Sequence, residues 1–355
     1  MPLRPLKMKI RTQVQIKNGE KSSTMKQIDM SAAVRRLRSA ETVWILAHSH
    51  PDGDAAGCAF ALAHALKSLG KEVAVLCADP NPEMFLYMQE GLENSVHMGD
   101  FSRLPEDASP LIVSVDLAAD HLLGPTLCER FGKRIQLNID HHPTNNFFAE
   151  ETLLDPAAAA AAEIISDLID ELEVPMTTLI AACLYAGVST DTGCFRYQNT
   201  TARSHRYAAR YMELGVRTEP LDRAFFETET RTYMALERLA FDGLRYYCGG
   251  RVALVAVTQE MFRQSGSNDE EYIKIVNRTR NIEGVQVGVA IRERTDGTHK
   301  LSLRSHDSIS VADICARMGG GGHRCAAGCA SDLPLEETVA AIIGFISEAM
   351  EELPQ

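Results

Sequence analysis

Residues 43–57 read VWILAHSHPDGDAAG. Val43-Trp44-Ile45-Leu46 is a short apolar run of the kind that forms a buried strand. An alanine-rich stretch, read as a helix over residues 57–69 (GCAFALAHALKSL), follows it. Between the two stand His48, His50, Asp52 and Asp54. Plain turn residues would be enough to connect a strand to a helix. This turn holds groups that bind cations.

The pattern repeats along the first two hundred residues. Strands are expected at 73–76, 111–115 and 135–139, and helices at about 156–172 and 176–187. Asp155-Pro156 predicts the start of the first of these helices, as an N-cap before a first-turn proline. Continuous apolar strands between helices predict a mostly parallel sheet covered on both faces, an α/β fold. Asp116 follows the third strand in VSVDLA, and Asp140, His141 and His142 follow the fourth in NIDHHPTN. Asp191 follows the second helix in VSTDTGCF. The carboxyl ends of parallel strands open on one crevice, so these side chains can converge.

About five carboxylates in one crevice would raise one another's pKa values unless cations balance them. Carboxylates with imidazoles and no thiolates suit Mn²⁺, Mg²⁺ or Co²⁺ better than structural zinc. The donors outnumber the needs of one ion, which predicts two ions sharing a bridging carboxylate. Two cations about 4 Å apart are a known arrangement for phosphoryl-ester hydrolysis.

The rest of the chain frames this site. Residues 203–240 read as a charged helical connector. Strands expected at 252–257, 285–291 and 300–304, with a helix at 334–350, make a smaller α+β domain. The expected organisation is an extension at 1–30, an α/β domain at 31–202, the linker at 203–240 and the α+β domain at 241–355. Gly319-Gly320-Gly321-Gly322 is the one glycine run, and glycine lets backbone N–H groups approach an anion closely. His323 and Arg324 follow it, and Arg304 ends the preceding strand.

Bulk properties narrow the function. The formal net charge of -12 argues against nonspecific binding of duplex nucleic acid, which needs a positive surface. Nine cysteines, none in a Cys-x-x-Cys pair, point to reduced thiols and the cytoplasm. The longest apolar stretches fall short of the roughly 18–20 residues that a membrane span needs.

HSHPDGDAAG, VSVDLA, NIDHHPTN and VSTDTG, in that order, resemble the four motifs of the DHH phosphoesterase superfamily. GGGGHRCAAG, residues 319–328, resembles the signature of the DHH-associated C-terminal domain. Length and layout are most similar to the NrnA-type branch, which is related to RecJ nuclease. The resemblance covers about residues 30–350 and implies a site between the two domains. It implies that His48 and Asp52 bind one metal ion, Asp54 and His141 the other, and that Asp116 bridges them. Asp191 completes the second site. His142 contacts the scissile phosphate or protonates the leaving oxygen, and Asp140 orients a histidine. His50 stands where the family usually has a structural Asn. Arg304, Gly320, Gly321, Gly322, His323 and Arg324 become the substrate-binding candidates.

The implied activity is hydrolysis of short single-stranded RNA and linear dinucleotides such as pGpG or pApA to mononucleotides. With it comes hydrolysis of 3′-phosphoadenosine-5′-phosphate to AMP, by two-metal activation of water with Mn²⁺ foremost, in a homodimer. The alternatives are a catalytically silent nucleotide sensor and a phosphatase for another small substrate. A silent sensor should lack ligands, and here every expected ligand position is filled.

Overall fold

The computed structural model describes residues 26–105, 108–306 and 309–351. The chain divides into two compact units between Glu227 and Thr228. In the first unit the strands are β1 (Lys26–Gln27), β2 (Thr42–Leu46), β3 (Glu72–Cys77), β4 (Val96–Met98), β5 (Leu111–Val115), β6 (Leu137–Asp140) and β7 (Glu151–Leu154). The helices are α1 (Met30–Ser39), α2 (Gly53–Ser68), α3 (Pro125–Phe131), α4 (Ala161–Glu171), α5 (Thr178–Asp191), α6 (Ala202–Glu213) and α7 (Thr218–Asp222). The seven strands form one parallel sheet in the order β1-β7-β6-β5-β2-β3-β4.

Both faces of this sheet are covered. Val43 and Ile45 point into a core shared with α1, α2, α4 and α5, while Trp44 and Leu46 point into a second core with Phe131 of α3. The Trp44 and Phe131 rings meet edge to face at 5.8 Å. Helix α2 is apolar nearly all round and correspondingly buried. It lies against α5 so closely that a Cβ on Gly57 would stand 2.3 Å from the Cys183 carbonyl oxygen. The chain runs from β2 through α2 to β3 on one side, while β5 pairs with β2 on the other. The strand order therefore reverses between β2 and β5, which is where ligands bind in open α/β sheets.

Several boundaries differ from the sequence expectation. Helix α2 starts at Gly53, because Asp52 accepts the amides of Asp54 and Ala55, each at 3.0 Å. Helix α4 starts at Ala161, well after Asp155-Pro156. Asp155 instead accepts the Ala157 amide at 3.1 Å in a local turn, and a distant carboxylate caps the helix. Helix α5 extends through Asp191, so Asp191 ends the helix rather than following it. Strands β1, β4 and β7 were not expected.

The extension expected at 1–30 contributes Lys26 and Gln27, which pair with Glu151 and Thr152, and the start of α1. Residues 1–25 lie outside the described residues. The expected connector at 203–240 falls on both sides of the division. Helix α6 buries Ala208 and Tyr211 in the first unit.

The second unit comprises α8 (Arg231–Asp242), β8 (Arg245–Tyr247), β9 (Val252–Val257), α9 (Gln259–Ser265), α10 (Asp269–Arg280), β10 (Val287–Glu293), β11 (His299–Ser305), α11 (Val311–Ala316), β12 (Gly321–His323), β13 (Ala326–Ser331) and α12 (Leu335–Glu351). Its six strands run β12-β13-β11-β10-β9-β8, and only β9 and β10 pair in parallel. Leu301 and Leu303 pack with Ile342 and Ile346 of α12 on one face. Tyr233 and Leu236 of α8 pack with Tyr272 and Ile275 of α10 on the other.

Candidate metal centre

The turn after β2 and the first turn of α2 deliver His48, Asp52 and Asp54. Asp116 stands at the end of β5 with φ 52°, a left-handed conformation that aspartate tolerates better than most residues. Its amide still donates to the Ile139 carbonyl at 2.9 Å. His141 and His142 follow β6 directly, and Asp191 closes α5.

These side chains gather into overlapping groups whose donor atoms lie within 4.8 Å of one another. One group is His48, Asp52 and Asp116, another Asp54, His141 and Asp191, and a third Asp116, His141 and His142. Asp116 links them: Oδ2 is 3.9 Å from His48 Nε2, and Oδ1 is 3.5 Å from His141 Nε2. His141 Nε2 also lies 3.5 Å from Asp191 Oδ2 and 4.0 Å from Asp54 Oδ2. These separations are long for hydrogen bonds and short enough for a shared cation.

The rings are held for ligation through Nε2. His48 Nδ1 faces the Ser49 carbonyl at 2.8 Å, and His141 Nδ1 faces the Ala158 carbonyl at 3.2 Å. A carbonyl only accepts, so Nδ1 carries the proton and Nε2 turns to the carboxylates. His142 Nδ1 lies 2.7 Å from Asp140 Oδ1, and Asp140 is fully buried. Asp140 therefore orients His142. The hydrogen bond to Asp140 also raises the His142 pKa, while His142 and Asn145 together outweigh burial and hold Asp140 below the usual carboxylate range.

The electrostatics express crowding. Burial, then the Asp116 and Asp191 charges, push Asp54 well above the ordinary carboxylate value. Burial and Asp116 push Asp191 up to about 7. Burial alone would lower both histidines. Asp52 and Asp116 instead raise His48 to about 9, and Asp116, Asp54 and Asp191 raise His141 to about 10. Protons thus supply the positive charge that this cluster needs. Asp116 Oδ1 is buried without a hydrogen-bond partner, a costly state for a carboxylate oxygen unless an ion meets it. Oxygen and imidazole donors without thiolate fit divalent cations of the Mg²⁺ and Mn²⁺ class.

His50 stands apart from these groups. Its side chain is exposed and its amide donates to Asp79 Oδ2 at 3.0 Å, a turn role.

The second unit places the other candidates around β11, β12 and β13. Arg304 is half-buried and donates to the Leu303 carbonyl at 3.0 Å. Burial and the nearby Arg280 charge lower its pKa. Gly321 and Gly322 are exposed on β12, and Arg324 is exposed just beyond it. His323 ends β12, and its side chain is not among those described. Gly320 has a packing reason of its own, because a Cβ there would stand 2.2 Å from the Gly328 carbonyl oxygen.

Known proteins resemble this chain along most of its length. The DHH family, N-terminal domain, matches residues 42–188, and the DHHA1 domain matches residues 250–352. The bifunctional oligoribonuclease and PAP phosphatase NrnA of Thermus thermophilus is 33% identical over 310 residues, covering 87% of this chain and 90% of that protein. The chain belongs to the DHH family. The Bacillus subtilis NrnA, also named as a bifunctional oligoribonuclease and PAP phosphatase, is 24% identical over 301 residues, 83% of this chain and 91% of that one. An exopolyphosphatase-related protein from Bacteroides fragilis shares the fold at a TM-score of 0.80 and 22% identity, covering 90% of this chain and 95% of its own.

The DHH site also depends on residues that the sequence reading passed over. Ser114 donates to Asn138 Oδ1 at 2.8 Å, and Asn138 donates to the Leu117 carbonyl at 3.1 Å, all buried. Asn145 donates to Leu117 at 3.2 Å and to Asp140 Oδ2 at 2.5 Å. This network fixes the loop after Asp116 against the one carrying the histidines. Asn138 and Asn145 flank Asp140-His141-His142 within NIDHHPTN, and that symmetry was the available signal.

Proposed function

We propose that this protein hydrolyses short single-stranded oligoribonucleotides and linear dinucleotides to mononucleotides, and 3′-phosphoadenosine-5′-phosphate to AMP, with Mn²⁺ as the working cation. The observation that carries this reading is the placement of Asp116, whose two carboxylate oxygens face two different donor groups. The printed activity of the Thermus thermophilus relative supports the choice of substrates.

In this reading His48, Asp52 and Asp116 would hold one cation, and Asp54, His141 and Asp191, with Asp116, would hold the other. When bound, the pair lowers the pKa of a water for attack on phosphorus and neutralises charge on the phosphoryl oxygens. His142, its Nδ1 engaged by Asp140, has Nε2 left to protonate the leaving oxygen. Arg304, Arg324, His323 and the amides of Gly320, Gly321 and Gly322 hold a second anionic group of the substrate. The net charge of -12 disfavours duplex. Among the described residues no helix is long and apolar enough to cross a membrane. We place the activity in the cytoplasm, in a homodimer.

The test is Mn²⁺-dependent turnover of 5′-labelled RNAs from 2 to about 24 nucleotides, beside 3′-phosphoadenosine-5′-phosphate, with the range chosen to bracket the single-stranded site sizes of known binders. Fast hydrolysis of the shortest RNAs, falling with length, is the expected result. No turnover of any of these substrates by cation-loaded protein overturns the reading.

A further inference from the structure

Residues 157–162 are six consecutive alanines, which read in sequence as helix filler. Only the last two are helical, since α4 starts at Ala161. We propose that the backbone of residues 158–162, tied in place by Asn199, is the frame that positions all three donors of the second group: Asp54, His141 and Asp191. The inference rests on the two-cation reading above.

Each donor is fixed to this one stretch. The Ala158 carbonyl accepts from His141 Nδ1 at 3.2 Å. The Ala161 and Ala162 amides donate to Asp54 Oδ2 at 2.6 Å and Oδ1 at 2.9 Å. These are the first free N–H groups of α4, whose N-cap position, Ala160, has no side-chain oxygen. The Asn199 amide nitrogen donates to the Ala159 carbonyl and to the Asp191 carbonyl, both at 3.0 Å. Its two N–H groups thus staple the end of α5 to the alanine stretch.

The path from Asp191 to Asn199 is unusual. Gly193, Cys194 and Phe195 have φ of 56°, 57° and 60°, three consecutive left-handed residues of which two carry a Cβ. The turn is held by Cys194 N–H to the Ser189 carbonyl at 2.7 Å and by Phe195 stacked on His205 at 5.1 Å. It reverses the chain, so that Asn199 reaches back to Asp191.

Alanine suits the frame because there is no room for more. All five residues are between 0% and 6% exposed. A Cβ on Gly187 would stand 2.6 Å from both the Ala162 Cβ and Asp54 Oδ1. The first group needs no such device: His48 leans on the adjacent Ser49 carbonyl, and Asp52 caps its own helix. The donors of the second group come from three distant segments, and a common support sets their separations.

The test is a calorimetric Mn²⁺ titration of the metal-stripped, full-length protein, with melting followed in parallel. The wild type is expected to take up two ions. Asn199→Ala and Asn199→Asp, which lack the two donors, should weaken one ion by about 10- to 100-fold and leave the other within about twofold. Asn199→Gln, which sets the same two N–H donors on a longer arm, should weaken the same ion. Asn199 is exposed, so its variants test the tie without disturbing the core. Unchanged affinities for both ions overturn the frame, and so does an equal loss of both with a collapsed melting transition. A wild type that binds fewer than two ions overturns the frame and the two-cation reading together. Two ions bound without hydrolysis of any substrate overturn the proposed function, and the frame then stands or falls on the affinities alone.

Discussion

Two ten-residue segments, HSHPDGDAAG at 48–57 and GGGGHRCAAG at 319–328, end in the same three letters and fold differently. Ala55-Ala56-Gly57 is helical because Asp52 caps the helix just ahead of it. Ala326-Ala327-Gly328 is extended, paired with β11 on one side and with β12 on the other. In the first segment the side chains enter the cluster of donors, and Gly57 serves the contact with α5. In the second the backbone carries the structure, and Gly320 is where one strand closes on another. The same residues serve a helix start or an interior strand according to their partners.

The contrast can be broken at the side chains or at the glycines. The largest effect is expected from Asp116→Ala. It should cost about 10³-fold or more in turnover, beyond the loss of a single transition-state donor, with the melting of the second unit unchanged. Chelation comes next. Removing the two cations, each present at about 100 times its dissociation constant, should withdraw about 2.7 kcal/mol per ion from the first unit, read as a lower melting temperature. Nothing comparable should happen to the second unit.

Glycine changes should be smaller. Gly57→Ala, which forces a Cβ onto the Cys183 carbonyl, should cost the first unit about 1–3 kcal/mol in denaturant melts. Gly320→Ala should cost the second unit a similar amount through the Gly328 carbonyl, with Mn²⁺ uptake intact. Gly321→Ala meets nothing within 4 Å and should shift stability by no more than about 0.5 kcal/mol. If Gly321→Ala abolishes turnover at unchanged stability, its amide or its openness serves the substrate.

Most strands were legible because their apolar runs are continuous and their turns distinct. Strand β9 matches its expectation at both ends. Strand β7 was not legible, because ETLL is short and only half of it is buried. The start of α4 was misplaced because its cap, Asp54, lies 107 residues away, and no local pattern carries such a bond. Asp155-Pro156 looked like a helix start and closes a turn instead. The donor residues were legible as a set, since histidines and aspartates at successive strand ends of a parallel sheet can meet in only one place.

The sequence by itself determined the parallel α/β architecture, the presence of a second mixed domain and which histidines and aspartates gather at the strand ends. Periodicity, turn chemistry and donor type are local properties, and a local reading recovers them. The tertiary structure alone decided which donor faces which. Asp116 presents an oxygen to each group, His142 rather than His141 leans on Asp140, and the alanine stretch and Asn199 hold the donors of one group. Those choices are set by hydrogen bonds between segments far apart in the chain. Such bonds acquire definite partners only when folding removes the water that would otherwise satisfy them.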